Sequence, residues 1–326
     1  MTTSESILSP TPGHDALMNS AAVLDLSERG RIRVTGEDRA RLLHAMSTNH
    51  IQGMQPGQGV YAFFLNAQGR ILADAVILCF EDHFLLDTVA ATRESLREHL
   101  DRYIIADDVT LDDVTDQTFA LGLEGPKARE MAAAAAMPGP AIRLAHIRWG
   151  DYTVASIAAA GADGLRIYGP EEDRDSALEL FESAGAIAAS EEDAEAVRIA
   201  NFRPRYGVDI DDRTIPQESQ LMDAVHFQKG CYLGQEIVER VRSRGHANRL
   251  LMGFRTGAGA AVAPGAKVLF EGKEAGEVTS ATAGAGLAFV RAPAARSGSL
   301  VEIEGKPAEL FSPSLWPAAT SSSESL

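Results

Sequence analysis

Hydrophobic residues come in short β-type runs between positions 59 and 88. The stretch GVYAFFLNAQGRILADAVILCFEDHFLLDT divides into three strands, because β-branched and aromatic residues alternate with turn signals at NAQGR and EDH. Before it, the segment 38–49 has helical spacing, with Leu42, Leu43 and Met46 on one face. An amphipathic helix, ATRESLREHLDRYI, and another strand, DDVTLDDVT, follow. This order of hairpins and helices predicts an antiparallel sheet covered by helices.

A second round of the same kind begins near Phe119. FALGLEG predicts a strand, Pro126 opens a helix through an alanine run, and AIRLAHIRW, DYTVASIAA and GLRIYG predict paired strands. A helix over EEDRDSALELFESAG then ends at Gly185. From Leu250 the helical patterns stop, and six short strands follow at intervals of about ten residues: LLMGFRT, AKVLFEG, KEAGEVTSAT, GLAFV, LVEIEG and KPAELF. They predict a small β-barrel or sandwich. The predicted fold class is therefore α+β with a C-terminal β domain.

The same patterns divide the chain into regions. Both ends are rich in Ser, Thr and Pro, a composition typical of disordered tails. The predicted boundaries are a tail at 1–15, a first α+β lobe at 16–117, a second lobe at 118–194, a segment at 195–245 that helps complete the first lobe, a barrel at 246–316 and a tail at 317–326.

Composition and charge disfavour several classes of function. The 326 residues include 46 acidic and 30 basic side chains, for a net charge of −16, which disfavours nucleic-acid binding over the whole surface. No apolar run approaches the roughly 18–20 residues that span a bilayer, and the N-terminus lacks a secretory pattern. The two cysteines lie 152 positions apart, without disulfide or zinc spacing. We expect a cytoplasmic monomer without membrane contact, resident metal or sequence-specific nucleic-acid binding.

The two cysteines have different surroundings. Cys79 lies in the apolar run AVILCF and is predicted to be buried. Cys231 lies in KGCYLGQE, after Lys229 and just before a helix predicted to begin near Gly234. A helix N-terminus and a nearby ammonium both favour a reactive thiolate, although a structural thiol is the commoner role of a free cysteine. His226 and His246 are candidate bases for this thiol. Only their presence in the sequence supports them, since neither lies in a recognisable protease signature.

Basic residues also gather around Cys231. Between Lys229 and Arg255 there are six Lys or Arg residues and two acids, a net charge of +4 in an acidic chain. This run is either a solvated helix face or an anion site for polyglutamate, phosphate or an RNA backbone. The sequence leaves both open.

At this point a family resemblance emerges. KGCYLGQEIVERVRSRG resembles the K-G-C-[FY]-x-G-Q-E signature of the YgfZ family, relatives of the glycine-cleavage T-protein. VTGEDRARLLHAMSTNHI, GQGVYAFFLNAQGRILAD and RIANFRPRYGVDIDDRTIPQE are similar to other blocks of that family. The resemblance covers roughly residues 30–255. It implies a three-lobed fold around a central channel that binds tetrahydrofolate, and a role in maintaining iron–sulfur enzymes.

The resemblance also implies functional residues. Cys231 would be the reacting group, with transient contact to an iron–sulfur cluster, a persulfide or a client thiol. The expected cofactor-binding residues are Asn49, Asp74, Lys229, Tyr232, Gln235, Glu236 and Arg240. T-proteins carry acids where this chain has Ala73 and Ala200, and the first of these is the acid assigned to folate N10 chemistry. The replacements speak against aminomethyl transfer.

Three hypotheses follow. The first is a folate-binding factor that helps assemble or repair iron–sulfur enzymes, including radical-SAM tRNA methylthiolases. The second is a folate-dependent one-carbon transferase in which Asp74 takes over from the missing acid. The third is a non-enzymatic scaffold that binds a partner protein.

Overall fold

The computed structural model describes residues 11–161, 163–245, 247–257 and 260–313. Within these ranges, no helix is long and apolar enough to cross a bilayer. The α-helices are α1 Pro12–Asn19, α2 Arg39–Met46, α3 Arg93–Asp101, α4 Ala128–Ala134, α5 Arg174–Ser183, α6 Glu191–Ala200, α7 Pro216–Ser219 and α8 Gln235–Arg244.

The strands fall into two sheets and one barrel. In chain order they are β1 Ala22–Asp25, β2 Gly30–Thr35, β3 Gly59–Leu65, β4 Ile71–Cys79, β5 Phe84–Thr88, β6 Thr110–Asp113, β7 Thr118–Glu124, β8 His146–Trp149, β9 Tyr152–Ala155, β10 Gly164–Pro170, β11 Ile187–Ala188, β12 Arg249–Thr256, β13 Lys267–Phe270, β14 Lys273–Thr282, β15 Ala285–Arg291, β16 Leu300–Ile303 and β17 Lys306–Phe311.

The first sheet has the order β3-β4-β5-β2-β6 and is antiparallel throughout. The three strands predicted over residues 59–88 and the helix near position 42 are confirmed. Because successive strand residues point to opposite faces, the sheet has two separate apolar surfaces. One face packs under α2 and α3, where Leu43, Phe64 and Leu100 are buried. The other, here termed the inner face, carries Tyr61 and Phe63 and packs into a core shared with the second sheet and the barrel.

The second sheet has the order β11-β1-β7-β10-β9-β8. Strand β1, which falls inside the predicted first lobe, pairs with β7 and β11 of this sheet instead. Buried charges also join the two sheets: Asp87 on β5 accepts from Arg166 at 2.7 Å and from Tyr168 at 2.5 Å, both on β10. Burial alone would raise the pKa of Asp87, but Arg166 and Arg29 outweigh it and hold that pKa well below its usual range.

Helix α1 corrects one prediction. Residues 11–15 were assigned to a disordered tail, yet they form the N-terminal cap and first turn of α1. Thr11 accepts from the backbone N–H of His14 and donates to Asp193 of α6, while Pro12 occupies the first helical turn. The helix then buries Leu17. The Pro-rich composition had suggested a tail, but Thr-Pro is also a helix start signal. The rest of the two predicted tails, residues 1–10 and 317–326, lies outside the described residues.

The C-terminal strands close into a barrel with the order β12-β15-β14-β13-β16-β17, so all six predicted strands are confirmed. Helix α6, which the sequence pattern did not reveal, fastens the barrel to the sheets. After its end, Phe202 adopts a φ of 53° and stacks on Phe311, with ring centroids 5.5 Å apart. A Cβ at Gly253 of β12 would lie 2.5 Å from the Phe202 ring, so glycine is needed at that position.

Candidate functional site

Residues 224–233, here termed the Cys segment, lie beside the C-terminal end of α2. The backbone N–H of His226 donates to the Thr48 carbonyl at 2.9 Å, and that of Leu233 donates to the Ala45 carbonyl at 3.0 Å. The segment is therefore held at both ends by the first lobe. These contacts join regions far apart in sequence.

The thiol in this segment is exposed. Cys231 is accessible to solvent, whereas Cys79 on β4 is only 4 % exposed, and burial raises the pKa of the Cys79 thiol. Helix α8 begins directly after Gly234, as predicted. Gly234 has a φ of 83°, and a Cβ there would lie 2.7 Å from the Asn66 carbonyl oxygen. Glycine is thus required for the turn that connects the exposed thiol to α8.

Lys229 is buried and ties the Cys segment to α2. Its Nζ donates to the backbone carbonyls of His44 and Ser47, at 2.5 and 2.6 Å, and lies 4.9 Å from the centre of the Tyr232 ring. These carbonyls belong to the end of a helix, where backbone acceptors lack partners within the helix. Burial lowers the pKa of Lys229 to about 7. Lys229 therefore has an anchoring task that the sequence did not indicate, and its influence on Cys231 stays a prediction.

Three histidines cluster beside Lys229. The ring centroids of His44 and His50 are 5.0 Å apart, and those of His50 and His226 are 5.3 Å apart. Burial, followed by the charges of Lys229, His50 and His226, lowers the pKa of His44 to about 4. Sequence analysis named His226 but missed the other two, although His44 belongs to the buried stripe of α2. The other predicted base, His246, lies outside the described residues.

A second polar group lies on the inner face of the first sheet. Asp74 is half-buried on β4 opposite Phe63, and its Oδ2 accepts from the Tyr61 hydroxyl at 2.7 Å. Burial raises the pKa of Asp74. Asn49 donates to the Tyr61 carbonyl at 2.9 Å and to the Asp223 carbonyl at 3.0 Å. Tyr61 thus connects the predicted residues Asn49 and Asp74. Strand alternation with Phe63 was the signal that could have identified it.

The position of Ala73 corrects an expectation. Ala73 was taken to stand where a catalytic acid had been lost from the folate channel. Its side chain instead lies on the helix-covered face, in the core that contains Leu43 and Phe64, and it is 1 % exposed. Adjacent residues of a strand point to opposite faces, so Asp74 rather than residue 73 reaches the inner face. The absence of an acid at position 73 therefore does not remove a carboxylate from that face. Ala200, at the end of α6, is half-buried.

The remaining predicted site residues belong to the Cys segment and α8. Tyr232 points into the central core, where its hydroxyl has no hydrogen-bond partner among the described residues, and burial, with a contribution from Glu239, raises its pKa to about 12. Arg240 forms an exposed ion pair with Glu236 at 2.6 Å. Such pairs contribute little, so both side chains are free to exchange partners. Gln235 is half-buried at the first position of α8.

Two more arginines of the basic run are also paired within the chain. Arg242 meets Glu239 and the Phe227 ring, whereas Arg249 meets Glu218 and the Phe289 ring. These contacts support the solvated, internally paired interpretation of that run more than a dedicated anion site. Within the described ranges, no three His, Cys, Asp or Glu side chains converge as a metal site would require.

Comparison with known proteins identifies both modules. A family model described as the GCVT N-terminal domain matches residues 11–229, and one described as the CAF17 C-terminal β-barrel domain matches residues 249–318. The matches cover both sheets and the barrel, respectively.

Individual relatives agree with this assignment. A chloroplastic protein of Arabidopsis thaliana whose name calls it a transferase is 29 % identical, covering 89 % of this chain and 69 % of its own length. The aminomethyltransferase of Rubrobacter xylanophilus is 28 % identical, covering 82 % of this chain and 74 % of its own length. The crystal structure of glycine cleavage system aminomethyltransferase T from Bartonella henselae superposes with a TM-score of 0.84 at 20 % identity, covering 92 % of this chain and 87 % of that one. The structural likeness confirms the predicted fold.

Proposed function

The chain belongs to the GCVT-domain family and has the two-module architecture of its YgfZ/CAF17 branch, and on that premise we propose that it assists the assembly or repair of iron–sulfur enzymes. Cys231 is the functional group in this proposal. Tetrahydrofolate is the small-molecule ligand, and enzymes that carry iron–sulfur clusters are the protein partners.

The observation that carries the proposal is an exposed thiol on a firmly held segment. Lys229 and two backbone hydrogen bonds fix the Cys segment to α2, while Cys231 itself remains open to solvent. Thiolates are the usual protein ligands of iron–sulfur clusters. An exposed thiol can reach a cluster iron, a persulfide or a client cysteine, none of which needs a second cysteine in this chain.

The inner face supports folate binding. Asp74 and Tyr61 place a carboxyl and a phenol together between the first sheet and the central core, and the Asn49 amide holds the backbone of Tyr61. An aromatic heterocycle with ring nitrogens needs apolar walls and a few polar groups that fix its orientation. A titration with tetrahydrofolate separates this proposal from the partner-binding scaffold, which requires no folate.

Complementation of a deletion strain tests the role of the thiol. We expect Cys231→Ser to keep its stability within about 1 kcal/mol, because the change creates no cavity at an exposed position. The strain should nevertheless lose iron–sulfur enzyme activity and tRNA thiomethylation, most under oxidative stress. Cys79→Ala is the matched control, since it removes the buried thiol and should retain function. Full activity of the Cys231→Ser strain would reject the proposal.

The position of Asp74 favours a second candidate, a folate-dependent one-carbon transferase. An inner-face carboxyl with a raised pKa can position or protonate a folate amine, which Ala73 was expected to preclude. The test is methylene transfer from an aminomethylated carrier, assayed beside a T-protein. Turnover that Asp74→Asn abolishes and Cys231→Ser leaves intact would establish this candidate, whereas the iron–sulfur proposal predicts no turnover.

A further inference from the structure

His44 presents a hydrogen-bond donor beside Gly230, the residue that precedes Cys231. Its Nδ1 accepts from the backbone N–H groups of Ile51 and Gln52, at 3.3 and 3.1 Å. In a neutral imidazole, an accepting Nδ1 leaves the proton on Nε2. The residue is only 8 % exposed, and its Nε2 has no hydrogen-bond partner among the described residues. A buried ring thus has its tautomer fixed by the backbone and its donor unused.

Gly230 lies directly in front of this donor. A Cβ on Gly230 would be 3.4 Å from His44 Nε2, so the missing side chain leaves open space between the ring and the backbone. Gly230 is exposed and directly precedes the exposed Cys231. The donor and the open side of Gly230 therefore lie one residue along the chain from the exposed thiol. We refer to this space as the Gly230 notch.

The charges around the notch limit what it can bind. His44 is neutral near pH 7, because burial and its basic neighbours lower its pKa to about 4. The Lys229 ammonium is already used by two backbone carbonyls. A doubly charged, strongly hydrated anion such as phosphate needs cationic partners when it leaves water. A single neutral N–H donor instead suits a weakly hydrated anion with one charge.

We propose that His44 Nε2 and the Gly230 notch form a non-covalent binding site for a small sulfur anion, hydrosulfide or the terminal sulfur of a persulfide, beside Cys231. The inference rests on the proposed function in one respect, the assignment of Cys231 as the reacting group. The ligand accepts from His44 Nε2 and lies against Gly230, where it is close to the thiol without bonding to it. His44 is then a ligand-binding residue that the sequence motif does not contain.

Two substitutions separate the donor from the space. His44→Asn retains an oxygen able to accept from the amides of Ile51 and Gln52 but removes the Nε2 donor. Gly230→Ala keeps the donor and fills the notch, and because the φ of Gly230 is not in the left-handed region and its nearest neighbour is 3.4 Å away, the backbone tolerates the methyl group. Gly257→Ala is the matched control, since no described residue other than its chain neighbours lies within 4 Å of the added Cβ.

The measurement is an anaerobic NMR titration of the full chain with hydrosulfide, and separately with inorganic phosphate, following the amide signals of Gly230 and Cys231. We expect saturable shifts with hydrosulfide in the wild type and Gly257→Ala, and affinity at least tenfold weaker in both test variants. Thermal melts check folding, and if His44→Asn unfolds, Gly230→Ala alone decides. Undiminished affinity in a folded test variant, no saturation in the wild type, or equal saturation by phosphate would overturn the inference. Loss of function in Cys231→Ser would still uphold the proposed function in those cases.

Discussion

The Cys segment and the inner face of the first sheet hold their polar groups in opposite ways. In the Cys segment the anchors are buried and the proposed reacting group is exposed: Lys229 is buried, while Cys231 is open to solvent. On the inner face, the Asp74 carboxyl is held by the Tyr61 hydroxyl next to the central core. An exposed, fixed thiol suits a macromolecular partner, whereas an enclosed acid suits a small molecule. The comparison therefore gives the two proposed chemistries separate places in the chain.

The two regions are nevertheless physically connected. The Thr48 hydroxyl donates to the Ala224 carbonyl at 2.6 Å and accepts from the Phe63 backbone N–H at 2.9 Å. Phe63 pairs with Asp74 across the first hairpin. A ligand that moves strand β3 can therefore also shift the Cys segment, because Thr48 is hydrogen-bonded to both. This contact gives a physical route by which folate could affect the thiol.

The largest expected effect tests which face of β4 carries the chemistry. Ala73→Asp should destabilise the protein by about 4 kcal/mol, because it places an unpaired carboxyl in the core under α2 and α3. It should not create transferase activity. Chemical denaturation measures the stability. The control is Ala200→Glu, whose half-buried position lets the carboxylate reach water at a cost below about 1 kcal/mol. A stable Ala73→Asp protein with methylene-transfer activity would show that residue 73 does reach the folate site.

The sequence predicted much of the fold, because most elements have strong local signals. The 59–88 strands, the six barrel strands and the start of α8 at Gly234 follow from alternation and turn residues. What it could not supply was the contact between distant elements. The burial of Lys229 depends on the carbonyls at the end of α2. The hydrogen bond between Tyr61 and Asp74 depends on the register of one hairpin.

The motif GRILAD also does not indicate which side chains of the strand point towards the site. Ala73 and Asp74 are adjacent in sequence, and their opposite orientations follow only from where the helices pack. When a functional role is assigned by resemblance, it must therefore be checked which face of the strand the residue points to. A shift of one residue moves a side chain from the site to the core.

The next expected effect compares the two thiols. Iodoacetamide should alkylate Cys231 about 100-fold faster than Cys79 at neutral pH, because labelling of Cys79 awaits a local opening that costs about 3 kcal/mol. Mass spectrometry of peptides from partially labelled protein gives both rates in one sample. Labelling in denaturant is the control and should make the rates similar. Equal protection of both thiols in the folded protein would restore a structural role for Cys231.

A smaller effect separates the two regions by ligand. Asp74→Asn should weaken tetrahydrofolate binding about tenfold, the loss expected when a charge-assisted hydrogen bond becomes a neutral one. Cys231→Ser should bind tetrahydrofolate as the wild type does, since its side chain is exposed outside the central core. Isothermal titration calorimetry measures both. If the two variants lose the same affinity, the Cys segment and the inner face form one site and the distinction between them fails.

The last expected effect concerns the pH dependence of the contact between α2 and the Cys segment. His44 has a pKa of about 4 in the folded protein against 6.5 for the unperturbed side chain, so the unfolded chain binds more protons between these values. Stability therefore rises with pH across this window and is lost as the pH falls from 6.5 towards 4. His44→Asn cannot take up that proton, so its free energy of unfolding should fall less over the same range. Urea denaturation of both proteins at pH 7.0 and pH 4.5 measures the difference. Identical acid sensitivity would mean that burial does not hold His44 of α2 neutral beside the Cys segment, and the buried anchoring that sets the Cys segment apart from the inner face would lose its support.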